Sequence, residues 1–215
     1  MNYQLQTTKK IVVHPSYFPS ISHFVAISKS ETMTLEMNDN FQKQTNRNRM
    51  YIYSPNGIQL LNVPVKHSTK IHQKTRDIQI ENSFDWQKQH FKSLEAAYRS
   101  SPFFEFFEDE IHPIFEKKHL FLMDLNLETM SIVFKCLKMI FNFDETTEYL
   151  SEIRDKTDYR QLINGKKDNA EFEPYIQVFE EKHGFINNLS VLDILFNEGR
   201  YAPDYLKNQT LIIPQ

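Results

Sequence analysis

Glycine is scarce in this chain, with 4 among 215 residues, and none falls in the spacing of a phosphate-binding loop. Neither a dinucleotide fingerprint nor a Walker loop can be built, so bare backbone does not cradle a phosphate here. Cysteine is scarcer still. The single Cys136 rules out an internal disulfide framework and fits a reducing compartment. It lies in the apolar run 131–143, where a buried structural thiol is expected rather than a nucleophile. No segment approaches membrane-spanning length, and the opening MNYQLQTTKKIVVH has no apolar signal core, so a cytoplasmic protein without integral membrane association is expected. Nor is there an excess of one charge. Lys and Arg number 25 against 28 Asp and Glu, a net of −3, which excludes a dominant nucleic-acid surface. His-Glu-x-x-His and Gly-x-Ser-x-Gly signatures are both absent, and no histidine spacing suits a metal, so the residues name neither a metal nor a cofactor.

What is present is a globular balance, 40% hydrophobic and 25% charged, with 18 Phe and 10 Tyr to fill an aromatic core. One domain over 1–215 is expected, of class α/β with mixed α+β possible. A sheet-rich part covers about 10–81 and a helix-rich part about 85–206. Ile11-Val12-Val13 is a β-branched run that reads as a buried strand. Pro15 and Pro19 force a loop after it, and a helix follows over 21–30. Residues 32–37 alternate as a second strand. The arms 50–53 and 58–63 form a hairpin around Ser54-Pro55-Asn56-Gly57. A short strand is expected over 77–81 and a terminal one over 211–213. Helical spacing marks 86–99, a helix from Pro102 that Pro113 should kink or split, 127–140, 174–182, 190–196 and a last turn over 202–206. The charge-rich stretch 144–170 reads as a mobile segment that could order on a protein partner.

The polar block from Asn38 to Arg49 is the densest concentration of hydrogen-bonding groups. Arg47 and Arg49 offer planar forks for phosphate or carboxylate. Two residues apart on an extended chain they point to opposite faces, so one would enter a pocket while the other pairs with Asp39 or Glu36. Gln42 and Asn48 supply mixed donors and acceptors beside them. His14, Tyr17 and His23 sit at the carboxyl end of the first strand, where open α/β sheets bind ligands. Trp86 and His90, one helical turn apart, could give an aromatic wall and an acid–base imidazole, although a core Trp with a hydrogen-bonded His is the plainer explanation. His14 and His90 are thus the candidate catalytic bases. Tyr17, His23, Asp39, Gln42, Arg47, Asn48, Arg49, His67 and Trp86 are the candidate binding residues.

The order of these pieces resembles the WbqC-like family of bacterial proteins. The resemblance rests on His14-Pro15-Ser16-Tyr17-Phe18-Pro19, Gln42 with Arg47-Asn48-Arg49, and Asn56-Gly57 leading to Val63-Pro64-Val65. Further on come Trp86 and His90, Tyr98 with Ser101-Pro102, and Asp124-Leu125-Asn126. It spans about 10–130 and extends through Gly184 to Leu206. The family loop commonly opens on glutamine where this chain has His14, so no glutamine role carries over. The resemblance implies a place in surface-polysaccharide (O-antigen) synthesis, with transfer of an amino-acid, acyl or sugar group from a small activated donor to a sugar acceptor. Two other expectations stay open: a non-catalytic assembly protein of a glycan-synthesis complex, and a nucleotide-binding α/β domain.

Overall fold

The computed structural model describes residues 10–66 and 72–212. In chain order the elements are β1 (Lys10–Val13), α1 (Ile21–Ser28), β2 (Thr32–Leu35), β3 (Arg49–Ser54), β4 (Gly57–Asn62), α2 (Trp86–Tyr98), α3 (Phe104–Glu116), α4 (Leu122–Cys136), β5 (Asp144–Glu145), β6 (Thr157–Asp158), α5 (Glu180–His183), α6 (Val191–Glu198) and α7 (Ala202–Asn208). The class is mixed α/β, with helices concentrated in the C-terminal half.

Four strands form one parallel sheet in the order β5-β2-β1-β6. Ile11, Val12 and Val13 are all buried, as a strand covered on both faces must be, and they pair in register with Met33, Thr34 and Leu35. The connecting helix α1 is buried all round: every residue from Ile21 to Ile27, Ser22 and His23 included, is packed against β1, α6 and α7. The hairpin β3–β4 is a separate two-stranded sheet. Its positive φ falls on Gly57 (95°), because Pro55 fixes its own φ negative and only a residue without Cβ adopts that geometry freely.

Several elements differ from the reading of the sequence. Residues 77–81 hold no strand; a 3-10 turn at Thr75–Asp77 precedes two single bridges, Gln79 to Phe121 and Ile80 to Val65. Helix α3 runs on through Pro113 to Glu116, since a proline in the last turn removes only one backbone bond. Helix α4 starts at Leu122 rather than 127, with Asp124 in a first turn that favours negative charge, and it ends at Cys136 shortly before Lys138, whose φ of 54° stops it. Of 174–182 only α5 is helical. Leu211 and Ile212 form no strand, and Ile213 lies outside the described residues. The largest correction concerns 144–170: it is built into the fold, supplying both outer strands of the parallel sheet and a 3-10 helix at Arg160–Ile163.

The helical layer is locked to the hairpin by one buried carboxylate. Asp193 Oδ1 accepts from the Tyr98 hydroxyl at 2.7 Å, and Oδ2 accepts from the Tyr175 hydroxyl and from Gln177 Nε2 at 2.8 Å. Tyr98 in turn accepts from the Tyr53 backbone N–H at 3.1 Å, so α6, α2, β3 and the 175–177 segment meet at one acceptor. Burial pushes the Asp193 carboxyl upward, while its three donors pull the other way. Replacing Asp193 with alanine strands two phenols and an amide, and the expected loss is about 3–5 kcal/mol in a denaturant titration. A loss below about 1 kcal/mol would mean that water replaces the carboxylate.

Candidate functional site

The chain leaves β1 toward β2 and β5, then returns across to β6 on the other side of β1. The strand order therefore reverses between β1 and β6, and a crevice opens beyond their carboxyl ends, the place where open α/β sheets take ligands. Here the crevice is a cavity of about 550 Å³. His14 follows β1 directly, Gln42 and Arg47 come from the polar block, and Asp158 with Arg160 come from the end of β6. The segment from Asn164 to Ala170 closes one side, and Leu211 and Ile212 form an apolar edge.

Arg47 is only 1% exposed and is the largest fully buried side chain among the described residues. Its guanidinium donates from Nε (3.0 Å) and from Nη2 to Asp39 Oδ2, and from Nη1 to Thr45 Oγ1 at 3.1 Å. Nη2 also lies 3.3 Å from His14 Nε2, and Asp39 Oδ2 lies 3.6 Å from His14 Nδ1. Burial first, then the neighbouring Arg47 charge, holds the His14 imidazole well below its usual range, so it is neutral at physiological pH. A neutral ring accepts from Arg47 through Nε2 and carries its proton on Nδ1, toward Asp39. Asp39 Oδ1 is buried and has no hydrogen-bond partner among the described residues. Asn126 fixes both walls: its Nδ2 donates to the Arg47 carbonyl at 2.8 Å and to the Pro15 carbonyl at 3.3 Å.

A second buried cluster lies behind this one. Glu36, fully buried at the end of β2, accepts from Arg160 Nη1 at 3.1 Å. Arg160 also holds Asp158 through Nε and Nη2, and donates to the carbonyls of Leu150 and Ser151. Its donors are committed to framework. Lys167 differs: it lines the cavity, exposed, and its ammonium has no carboxylate partner among the described residues. The N-terminus of α1, where phosphate binds in many doubly wound folds, is already occupied. Ile21 N–H donates to the Leu189 carbonyl, Ser22 N–H donates to Asn188 Oδ1 at 2.9 Å, and Ser22 Oγ donates to Asp168.

The structure brings His14, Asp39, Gln42 and Arg47 together and leaves other expected site residues elsewhere. Tyr17, Trp86 and His90 form a buried aromatic group off the cavity. The Tyr17 hydroxyl is 2.9 Å from His90 Nδ1 and the Tyr17 ring meets Trp86 edge-on. Burial lowers His90 to about 4, partly offset by the Asn62 backbone. His23 is fully buried beneath His14, donating from Nε2 to the His14 carbonyl at 3.0 Å, and burial lowers it likewise to about 4. Asn48 reaches the Asn62 side chain and the Val63 carbonyl rather than the cavity. Arg49 lies on β3 against Asn62, so the arginine that pairs with Asp39 and the one that reaches the cavity are the same residue, Arg47. His67 lies outside the described residues. Arg160, Asp158, Asn126 and Lys167 were missed. Asn126 stood in a noticed motif, whereas nothing local distinguished Arg160 from any charged loop residue. Cys136 is half-buried with its thiol pushed up to about 11, as a structural cysteine should be. Among the described residues, no three His, Cys, Asp or Glu side chains stand close enough to hold a metal ion.

A short parallel sheet with a polar cavity at its switch point defines this as an α/β protein with a candidate ligand site. The chain belongs to the WbqC-like protein family, whose model matches residues 14–171. It is similar to the uncharacterized protein Rv1507c of Mycobacterium tuberculosis, 26% identical over 226 residues that cover 93% of this chain and 97% of that relative. No solved structure matches. Among the described residues, no helix is long and apolar enough to cross a membrane.

Two outcomes follow from this geometry. Arg47→Ala leaves Asp39 buried without its partner and should cost about 3–5 kcal/mol, whereas Arg49→Ala should change stability by less than about 0.5 kcal/mol in the same titration. Equal effects would break the assignment. His14, His23 and His90 all have folded pKa values below the unfolded value near 6.5, so the unfolded chain binds more protons below that pH. Their contribution to stability is complete above pH 6.5 and is lost as pH falls toward about 4. Melting temperature measured across that window should fall steeply, and His90→Gln should flatten part of the fall.

Proposed function

We propose that this protein is a transferase that moves an amino-acid, acyl or sugar group from a small activated donor to a sugar acceptor in surface-polysaccharide synthesis. The observation that carries the reading is the neutral, buried His14 held between Arg47 and Asp39 at the mouth of the switch-point cavity. In the reaction, the donor takes over the Arg47 Nη2 donor and frees His14 Nε2, which then takes the proton of the acceptor hydroxyl or amine as that atom bonds to the donor carbon. The bond from that carbon to the leaving group breaks, and the leaving group departs with the electron pair. Arg47 stabilises the negative charge that develops on the donor as its leaving group departs, and Lys167 meets the anionic part of the donor at the rim. Gln42, exposed on the same wall, orients the acceptor. Family membership supports the polysaccharide setting, because the family resembled here is linked with O-antigen genes. A nucleotide-binding domain is the weaker reading, since the α1 N-terminus holds internal partners.

A thermal-shift panel of nucleotide-sugars, acyl-coenzyme A thioesters and amino acids tests the donor. A true ligand at about 100 times its Kd stabilises the fold by about 2.7 kcal/mol. Lys167→Ala should remove that shift without lowering the melting point of the free protein. His14→Gln should retain binding but abolish the modification, read as the mass of the surface glycan in the host that carries this gene. An unchanged glycan mass in the His14→Gln host would rule out the transferase reading.

A further inference from the structure

A second cavity, of about 420 Å³, lies on the far side of the segment that closes the first. The two share Asp168, Asn169 and Ala170. We infer that this second cavity is a carbohydrate subsite, binding a neutral pyranose through Tyr51, Asn169, Glu171 and Asn188. This rests on the transferase reading only for the sugar's role as acceptor; the binding itself stands on the residues.

The cavity is preformed. Ser190 N–H donates to the Tyr51 carbonyl at 2.8 Å, which ties β3 to the chain entering α6. The Asn187 amide bridges the opposite wall, donating to the Ala170 carbonyl and accepting from Phe172 N–H at 3.2 Å. Asn188 adopts a φ of 54°, and its Oδ1 is held by Ser22 N–H, which leaves its amide NH2 as a fixed donor. With their frame fixed this way, the remaining groups stand free. Among the described residues, neither the Tyr51 hydroxyl, the Asn169 amide nor the Glu171 carboxylate has a hydrogen-bond partner, and the half-buried Tyr51 ring touches no other ring.

Each feature matches a need of a pyranose. The sugar's C–H face packs on an aromatic ring, and its hydroxyls both donate and accept, which amides and a carboxylate satisfy together. Lys166, whose ammonium donates to Gln44 Oε1 at 3.1 Å, stands against the carboxylates of Asp168 and Glu171, so the lining carries one excess negative charge, which disfavours an anionic ligand and suits a neutral one that donates hydrogen bonds. The volume lies in the range of small-molecule sites. A sugar bound here abuts Asn169, the wall it shares with the cavity holding His14.

The test is saturation-transfer NMR and calorimetric titration of the full chain with glucose, galactose, mannose, rhamnose and N-acetylglucosamine. At least one should bind saturably, at a Kd of the order of millimolar. Tyr51→Leu and Glu171→Gln should each weaken that binding about tenfold or more with unchanged melting temperature, and Lys167→Ala should leave it intact. The inference fails if no monosaccharide saturates, if both variants bind like the parent, or if Lys167→Ala abolishes binding, which would put the sugar in the first cavity. Should sugar binding follow Tyr51 and Glu171 while no donor binds, the donor assignment falls and this subsite stands. Should donors bind and sugars not, this subsite alone falls.

Discussion

Everything at the centre of this molecule is arranged so that a guanidinium can be buried. Removing Arg47 and Asp39 from water costs several kcal/mol per ion, which their mutual attraction offsets only when the remaining hydrogen bonds are also made. Asp39, Thr45 and His14 take the Arg47 donors, and Asn126 takes its backbone carbonyl. Those partners come from the end of β1, the polar block and α4, so satisfying one side chain fixes the relative position of sheet, loop and helical layer. The imidazole that faces the cavity is neutral for the same reason. It shares the dry environment and the neighbouring positive charge.

A second buried arginine repeats the pattern on the other side of β1. Arg160 holds Glu36 from β2 and Asp158 from β6, bridging over the carboxyl end of the strand between them. Two ion clusters thus flank His14, and both use most of their charge internally. What is left to face the cavity is Lys167 at the rim, Gln42, the amides of the 164–170 segment, and the histidine itself. A ligand entering this cavity would meet more hydrogen-bonding groups than uncompensated charge.

Much of this was legible in the sequence wherever periodicity is strong. Ile11-Val12-Val13, the Asn56-Gly57 hairpin and the stripe Trp86, His90, Leu94, Ala97 and Tyr98 stand where their spacing put them. That an arginine of the 47–49 cluster would pair with Asp39 or Glu36 was readable in part: Arg47 takes Asp39, Glu36 takes Arg160 instead, and the pairing arginine is also the one at the cavity. The outer strands were not legible. β5 and β6 are two residues each, Asp-Glu and Thr-Asp, and they exist only because β2 and β1 offer parallel edges. Propensity contains no such information. The site was half legible for a related reason. Residues near His14 and Arg47 in sequence converge, whereas Arg160 and Lys167 arrive from over a hundred positions away, and Trp86 with His90 satisfies a core requirement instead.

That distance has a consequence during synthesis. β1 pairs with β2 across a short crossover, but β6 joins β1 only after the hairpin and helices α2, α3 and α4 have emerged. Loop-closure entropy makes such pairing a late event, and long-range parallel contacts form slowly. Until then Glu36 lacks the cation it is buried against and the sheet has an open edge beside His14. The nascent chain therefore passes through a stage with an apolar interior and an unfinished cavity. Closure of the sheet by β6 comes before the cavity is complete, because residues 164–170 and Leu211 with Ile212, which close it, follow β6 in the chain.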